Sequence, residues 1–160
     1  MKQYYTDEKN ILILIALLKA HGIKKVIASP GATNITFVRS IQNDPFFEIY
    51  SSVDERSAAY MACGLAAESR EPVVLSCTGA TASRNYMPGL TEAYYRKLPI
   101  LAITSTQEVS KVGHLIPQVI DRSIMPKDVV RYSVQLPIVK NENDWLSCEV
   151  KVNNAILELS

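Results

Sequence analysis

Three short stretches of this 160-residue chain carry residue types that can do chemistry. The first is Ser51-Ser52-Val53-Asp54-Glu55-Arg56-Ser57-Ala58-Ala59-Tyr60-Met61-Ala62-Cys63-Gly64-Leu65-Ala66, where Glu55 opens a segment that is otherwise mostly small and apolar. A carboxylate there either complements the positive end of a helix dipole or, shielded from water, binds its proton more tightly and serves as an acid. The second and third stretches are Ser29-Pro30-Gly31-Ala32 and Cys77-Thr78-Gly79-Ala80-Thr81-Ala82-Ser83-Arg84-Asn85. Each follows an apolar run, and Thr81 or Ser83 suits the cap of a following helix. Neither is a Walker A sequence, and the chain has no Gly-x-Gly-x-x-Gly, so nucleotide phosphate binding is the weaker reading.

The remaining reactive types are isolated. His114 sits in Gly113-His114-Leu115-Ile116-Pro117-Gln118, and a lone loop histidine is more often solvated than catalytic. His21, closing a predicted helix, reads as a dipole partner. Cys63, Cys77 and Cys148 are odd in number and lack metal-ligand spacing, which reads as reduced structural thiols.

The elements that must position these residues follow from periodicity. Ile11, Leu14, Ile15 and Leu18 recur at helical spacing within residues 7–21, and Gly22 suits a left-handed terminator. Apolar runs at 25–28, 47–50, 72–77 and 100–104 read as strands, separated by helices at 34–42, 54–69 and 84–97. Residues 108–127 have no clear period and read as a long functional loop. A further strand is expected within 129–139 and a last helix over 144–159. This alternation predicts an α/β fold in three layers, a mostly parallel central sheet with helices on both faces. Ligands of such sheets sit beyond the carboxyl ends of the strands, where all three stretches should gather.

Composition narrows the function class. With 48% hydrophobic residues, 17 basic against 16 acidic ones and a net charge of +1, the chain is ordinary globular material for one domain. No nucleic-acid partner is expected. No run reaches the roughly 20 apolar residues of a membrane span, so no membrane partner is expected and the cytoplasm is the expected location.

At Ser29-Pro30-Gly31, Asp54-Glu55-Arg56-Ser57-Ala58 and Thr78-Gly79-Ala80-Thr81 the chain resembles the pyrimidine-binding domain of thiamine-diphosphate enzymes, the acetolactate synthase and 2-oxoacid decarboxylase superfamily. The menaquinone-pathway synthase branch has similar stretches. The resemblance implies that Glu55 is catalytic: a carboxyl group bonded to the pyrimidine N1' favours the imino tautomer with which the coenzyme removes its own position-2 proton. It implies that Thr78, Gly79, Ala80 and Thr81 line the pyrimidine, with Asn85 opening the next helix. Ser29, Pro30 and Gly31 would face the substrate together with Gln118, and His114 is a further candidate there. It implies a homodimer through the helix after Glu55, whose Ala58, Ala59, Ala62, Gly64, Ala66 and Ala67 would admit a second helix closely.

The same resemblance implies thiamine diphosphate and Mg2+ as cofactors and a small 2-oxoacid as substrate, decarboxylated with or without transfer of the acyl carbanion to an acceptor. The family holds the metal on a Gly-Asp-Gly segment, and this chain has no Gly-Asp dipeptide. A diphosphate-binding domain or subunit must therefore supply it, and residues 1–160 alone are expected to be inactive. They are expected to form a single N-terminal domain truncated before its last strand. Ala32-Thr33 stand where the menaquinone branch carries Ser-Arg, which removes a carboxylate clamp and speaks against a succinyl-type acceptor. Two alternatives stay open: the natural alpha subunit of a two-chain sulfopyruvate or phosphonopyruvate decarboxylase, and a non-catalytic α/β binding or assembly module.

Overall fold

The computed structural model describes residues 5–160. Four strands, β1 (Lys25–Ala28), β2 (Glu48–Ser51), β3 (Val73–Thr78) and β4 (Ile100–Ser105), form one parallel sheet in the order β2-β1-β3-β4. Successive side chains of a strand point to opposite faces. Accordingly Val26 and Val74 enter one core, with Leu14, Leu18, Phe37, Val152 and Ile156, while Ile27, Val73, Leu75 and Cys77 enter the other, with Ala59, Ala62 and Tyr86. Because both faces are covered, the central strands are continuously apolar and not alternating. This is the three-layer α/β arrangement expected from the alternation of elements.

One face is covered by α1 (Lys9–Ala20), α2 (Ile35–Ile41) and α6 (Glu142–Leu157), the other by α3 (Glu55–Ser69), α4 (Ala80–Asn85) and α5 (Met87–Arg96). Gly22 closes α1 at φ +71, as a left-handed terminator should. The start of α1 has no side-chain cap. Its partial substitute is Thr6, whose Oγ1 accepts from Glu8 N at 3.2 Å. His21 meets Asn153 of α6 at 2.9 Å through its ring Nε2, so it joins two helices besides lying at the negative end of α1. Beside them the Asp44 carboxylate, itself buried, accepts from Lys19 Nζ at 2.8 Å and from the Tyr5 hydroxyl.

Three expectations need correction. Residues 129–139 hold no strand; they run irregularly beside the first core, into which Leu136 and Val139 pack. The helix expected at 84–97 is two: α4 begins at Ala80, and the chain restarts as α5 just before Pro88, which has no N–H to continue a helical ladder. The small face of α3 also does not wait for a second chain. Ala58, Ala59, Ala62 and Ala66 are buried within this chain, against the sheet and α5, while Gly64 and Ala67 are exposed on the opposite side. All three cysteines are buried and free, and Cys63 Sγ donates to Gly89 O at 3.2 Å.

The α3/α5 contact is close enough to require glycine. A Cβ on Gly89 would overlap the Ala59 methyl and lie 3.0 Å from the Ala59 carbonyl carbon. We therefore expect Gly89→Ala to destabilise the fold by about 1–2 kcal/mol, because overpacking of roughly 1–3 kcal/mol outweighs the gain of up to about 1 kcal/mol in helix propensity. Chemical denaturation measures this, and a variant as stable as the parent would contradict the packing described.

Candidate active site

Strand register decides which loops meet. Ala28 of β1 pairs with Ser51 of β2 and Ser76 of β3, and Thr78 of β3 pairs with Ser105 of β4. Residues 29–31, 52–55 and 79–81 therefore all leave the sheet at its carboxyl edge, the edge at which ligands of such sheets are held.

The first loop is fixed by a residue that sequence reading passed over as a helix start. Asn34 is fully buried; its Oδ1 accepts from Gly31 N at 2.9 Å, and its Nδ2 donates to Ser29 O and to Ser76 Oγ, each at 3.1 Å. Ser29 N adds a bond to Ser76 O at 2.8 Å, carrying the β1/β3 pairing one step past the strand end. Thr33 Oγ1 donates to Ser105 O at 2.9 Å, which ties the same loop to the end of β4. Of the three residues expected to face a substrate here, Ser29 is buried and Pro30 and Gly31 are the accessible ones.

In the second loop, Asp54 takes the capping duty. It is the N-cap of α3, in extended conformation, and its Oδ1 accepts from Ser57 N at 2.7 Å. Ser57, through its side chain first and then this backbone bond, holds the Asp54 carboxyl below its ordinary range. Glu55, half-buried in the first turn, is left with no hydrogen bond or ion pair to its side chain among the described residues. A first-turn carboxylate that neither caps its helix nor meets a cation is free to serve an incoming donor.

The third loop is cramped. A Cβ on Gly79 would stand 2.9 Å from Ser105 O, and Ala80 is buried at φ +55, a left-handed conformation that disfavours a side chain by roughly 1–2 kcal/mol. The expected cap is absent: Gly79 occupies the N-cap, Thr81 is exposed, and Ser83 Oγ turns back to donate to Ala80 O at 2.7 Å. Thr78 and Gly79 are half-buried, and Asn85, also half-buried, closes α4 rather than opening a helix.

Beneath these loops lies a buried polar group composed of Ser29, Cys77 and Tyr86. The Tyr86 hydroxyl and Ser29 Oγ make no hydrogen bond of normal geometry to the protein, yet Tyr86 lies near enough to both other side chains for each to shift its ionisation. Burial first, then Cys77, drives the Tyr86 phenol far above its usual range; burial pushes the Cys77 thiol up to about 11, and the Glu55 carboxylate reinforces both shifts. Both groups therefore stay protonated near neutrality. His114 and Gln118 are exposed on the long loop, whose one helical turn is the 3-10 segment Val109–Lys111 among the described residues. Among the described residues no hydrogen bond ties either side chain to the other site residues. Gln118 has φ +63, a conformation uncommon for a residue with a side chain.

Among the described residues no group of three or more His, Cys, Asp or Glu could hold a metal ion. An aromatic, nitrogen-bearing ring is different. The edge offers one unpartnered carboxyl group beside two loops kept bare by Gly31 and Gly79, which fits a flat heterocycle that needs an acid at one nitrogen. The closeness of the loops is testable. A Cβ on Gly31 would overlap Thr78 Cγ2, the next nearest atom being Thr78 Cβ at 3.4 Å. Gly31→Ala should cost about 1–3 kcal/mol, and adding Thr78→Ser, which deletes the colliding methyl, should restore most of it. A single and a double variant of equal stability would contradict the contact.

Comparison with known proteins gives this edge a family. Residues 12–125 match the thiamine pyrophosphate enzyme family, N-terminal TPP binding domain. Over 154 residues the chain is 40% identical to 2-succinyl-5-enolpyruvyl-6-hydroxy-3-cyclohexene-1-carboxylate synthase of Bacteroides thetaiotaomicron, covering 96% of this chain and 28% of that protein. The synthase of the same name from Lysinibacillus sphaericus is 36% identical over 127 residues, covering 78% of this chain and 22% of the relative. Benzoylformate decarboxylase from Polynucleobacter necessarius superposes with a TM-score of 0.69 at 26% identity, over 78% of this chain and 23% of that one. The chain thus spans about a quarter of the length of these relatives, and it belongs to the thiamine pyrophosphate enzyme family, as an N-terminal coenzyme-binding domain.

Proposed function

We propose that this domain is the coenzyme-activating half of an enzyme that decarboxylates a 2-oxoacid and passes the acyl carbanion to an acceptor. The observation that carries the reading is Glu55: an unpartnered, half-buried carboxyl group at the ligand edge of the sheet, in a chain of this family. Bound thiamine diphosphate supplies a ring carbon that, once deprotonated, adds to a 2-oxo group and stabilises the carbanion left by loss of carbon dioxide. Glu55 would hold a proton between its carboxyl group and a pyrimidine nitrogen, and Asp54 would keep the helix start in place without drawing on Glu55. Thr78, Gly79, Ala80 and Thr81 would lie along the pyrimidine with Asn85 behind them. Pro30, Gly31 and the backbone of Ser29 would bound the substrate side, with Gln118 and His114 completing it from the long loop. Diphosphate and Mg2+ would be held by a domain or subunit outside these 160 residues.

The name of the relatives describes a product bearing a succinyl group on a ring. The 2-oxoacid that leaves a succinyl carbanion on decarboxylation is a five-carbon 2-oxo diacid, which we take as the first substrate to assay, ahead of pyruvate. Two copies would meet through the outer face of α3, where Tyr60 and Met61 are 49% and 45% exposed and Gly64 leaves open space. Sedimentation separates this face from the buried one. Met61→Arg should leave a folded monomer, whereas Ala62→Arg, buried against α5 and the sheet, should lose the fold. A dimer untouched by Met61→Arg would contradict the assignment.

The decisive variant is Glu55→Gln in the full-length protein. It keeps size and one hydrogen bond but cannot share a proton, so exchange of the coenzyme's position-2 proton for deuterium should slow roughly 100-fold to 10,000-fold at saturating coenzyme. Equal exchange rates would reduce Glu55 to a helix-start carboxylate.

A further inference from the structure

The floor beneath the first loop holds two hydroxyl groups, and strand register places one of them. β1 and β3 pair Ala28 with Ser76, and Ser29 N continues the ladder to Ser76 O at 2.8 Å, so Ser29 lies beside Cys77 across the two strands. Residues two apart on a strand share a face. Ser29 therefore faces the same side as Ile27, Leu75 and Cys77, which is the core covered by α3 and by Tyr86.

Tyr86 supplies the second hydroxyl. It stands at the junction of α4 and α5, is the bulkiest of the fully buried side chains, and packs in one cluster with Cys77 and with Ala58 and Ala59 of α3. A phenylalanine would fill the same volume. The hydroxyl needs a reason of its own, because a buried polar group without a partner is disfavoured against an apolar residue of the same shape. Ser29 Oγ is in the same situation: both oxygens are shut off from solvent, and neither has a hydrogen bond of normal geometry. A hydroxyl donates and accepts as it rotates, so each can satisfy the other. Their nearness also registers in ionisation: after burial, which dominates, Cys77 raises and Ser29 lowers the proton affinity of the phenol. Asn34 meanwhile grips the loop only by its backbone, at Ser29 O and Gly31 N.

We propose that Tyr86 is a positioning residue: its hydroxyl engages Ser29 Oγ from beneath and fixes residues 29–31, which bound the substrate side, relative to α3 and Glu55. The consequence for substrate rests on the 2-oxoacid reading above; the consequence for the loop does not. Amide hydrogen exchange on the full-length protein reads the loop without turnover. In Tyr86→Phe, and equally in Ser29→Ala, the amides of residues 29 and 31 should exchange about 3-fold to 10-fold faster, the size of one hydrogen bond between uncharged groups. The double variant should exchange no faster than either single one, because the two changes remove one interaction. In turnover Tyr86→Phe should raise KM for the 2-oxoacid by a similar factor and leave exchange of the coenzyme's position-2 proton, the task of Glu55, at the parental rate. Unchanged loop amides in Tyr86→Phe, or additive effects in the double variant, overturn the positioning role. Faster exchange throughout the domain, α6 included, marks a general loosening and overturns it too, as does slowed position-2 exchange with KM unchanged. A parent that decarboxylates no 2-oxoacid, yet shows the coupled loop amides, instead overturns the proposed function.

Discussion

The side-chain amide of Asn34 is the interaction on which the rest of the edge depends. One buried group accepts from Gly31 N and donates to Ser29 O and Ser76 Oγ, so the loop after β1 is bonded both within itself and to the neighbouring strand. Ser29 O and Ser76 Oγ are buried polar groups, and leaving one unpaired costs about 1–3 kcal/mol. The loop is consequently held against β3 closely enough that Gly31 touches the Thr78 side chain and cannot carry a Cβ there without moving it. Rigidity at this point is what lets a bare backbone serve as a binding surface.

A second division of labour operates one loop away. Asp54 and Glu55 are adjacent carboxylates at one helix start, and only one is needed to cap it. Asp54 does so through Ser57 N, while the alanines of α3 fix the helix against the sheet and α5. Glu55 is thereby positioned by the fold yet left without a partner of its own. Charge placement follows the same logic, with Cys77 and Tyr86 held neutral by burial below the site.

Much of this was legible in the residues, because buried parallel strands and amphipathic helices leave strong periodic signatures. The four strands and the order of the main helices are read from the apolar runs, and Glu55, Thr78 and Gly79 from their motif. What escaped did so for physical reasons. An alanine face announces close packing but not its partner, so the burial of Ala59 and Ala62 inside this chain could not be told from burial against another. Residues 129–139 contain enough Val, Leu and Tyr for a strand, yet their apolar side chains are used to pad a helical face. Pro88 marked a break that a single helix over 84–97 ignored. Asn34 acts through a contact with Ser76, a residue distant in sequence, which no local pattern records.

The central claim is that three loops, separated in sequence by two dozen residues or so, form one coenzyme surface. Amide hydrogen exchange on the full-length protein, with and without thiamine diphosphate and Mg2+, tests it directly. The account predicts that exchange slows together at residues 29–31, 54–57 and 78–81, while α6, on the far face, keeps its rates. Slowing confined to one loop, or none at this edge under saturating coenzyme, would contradict it.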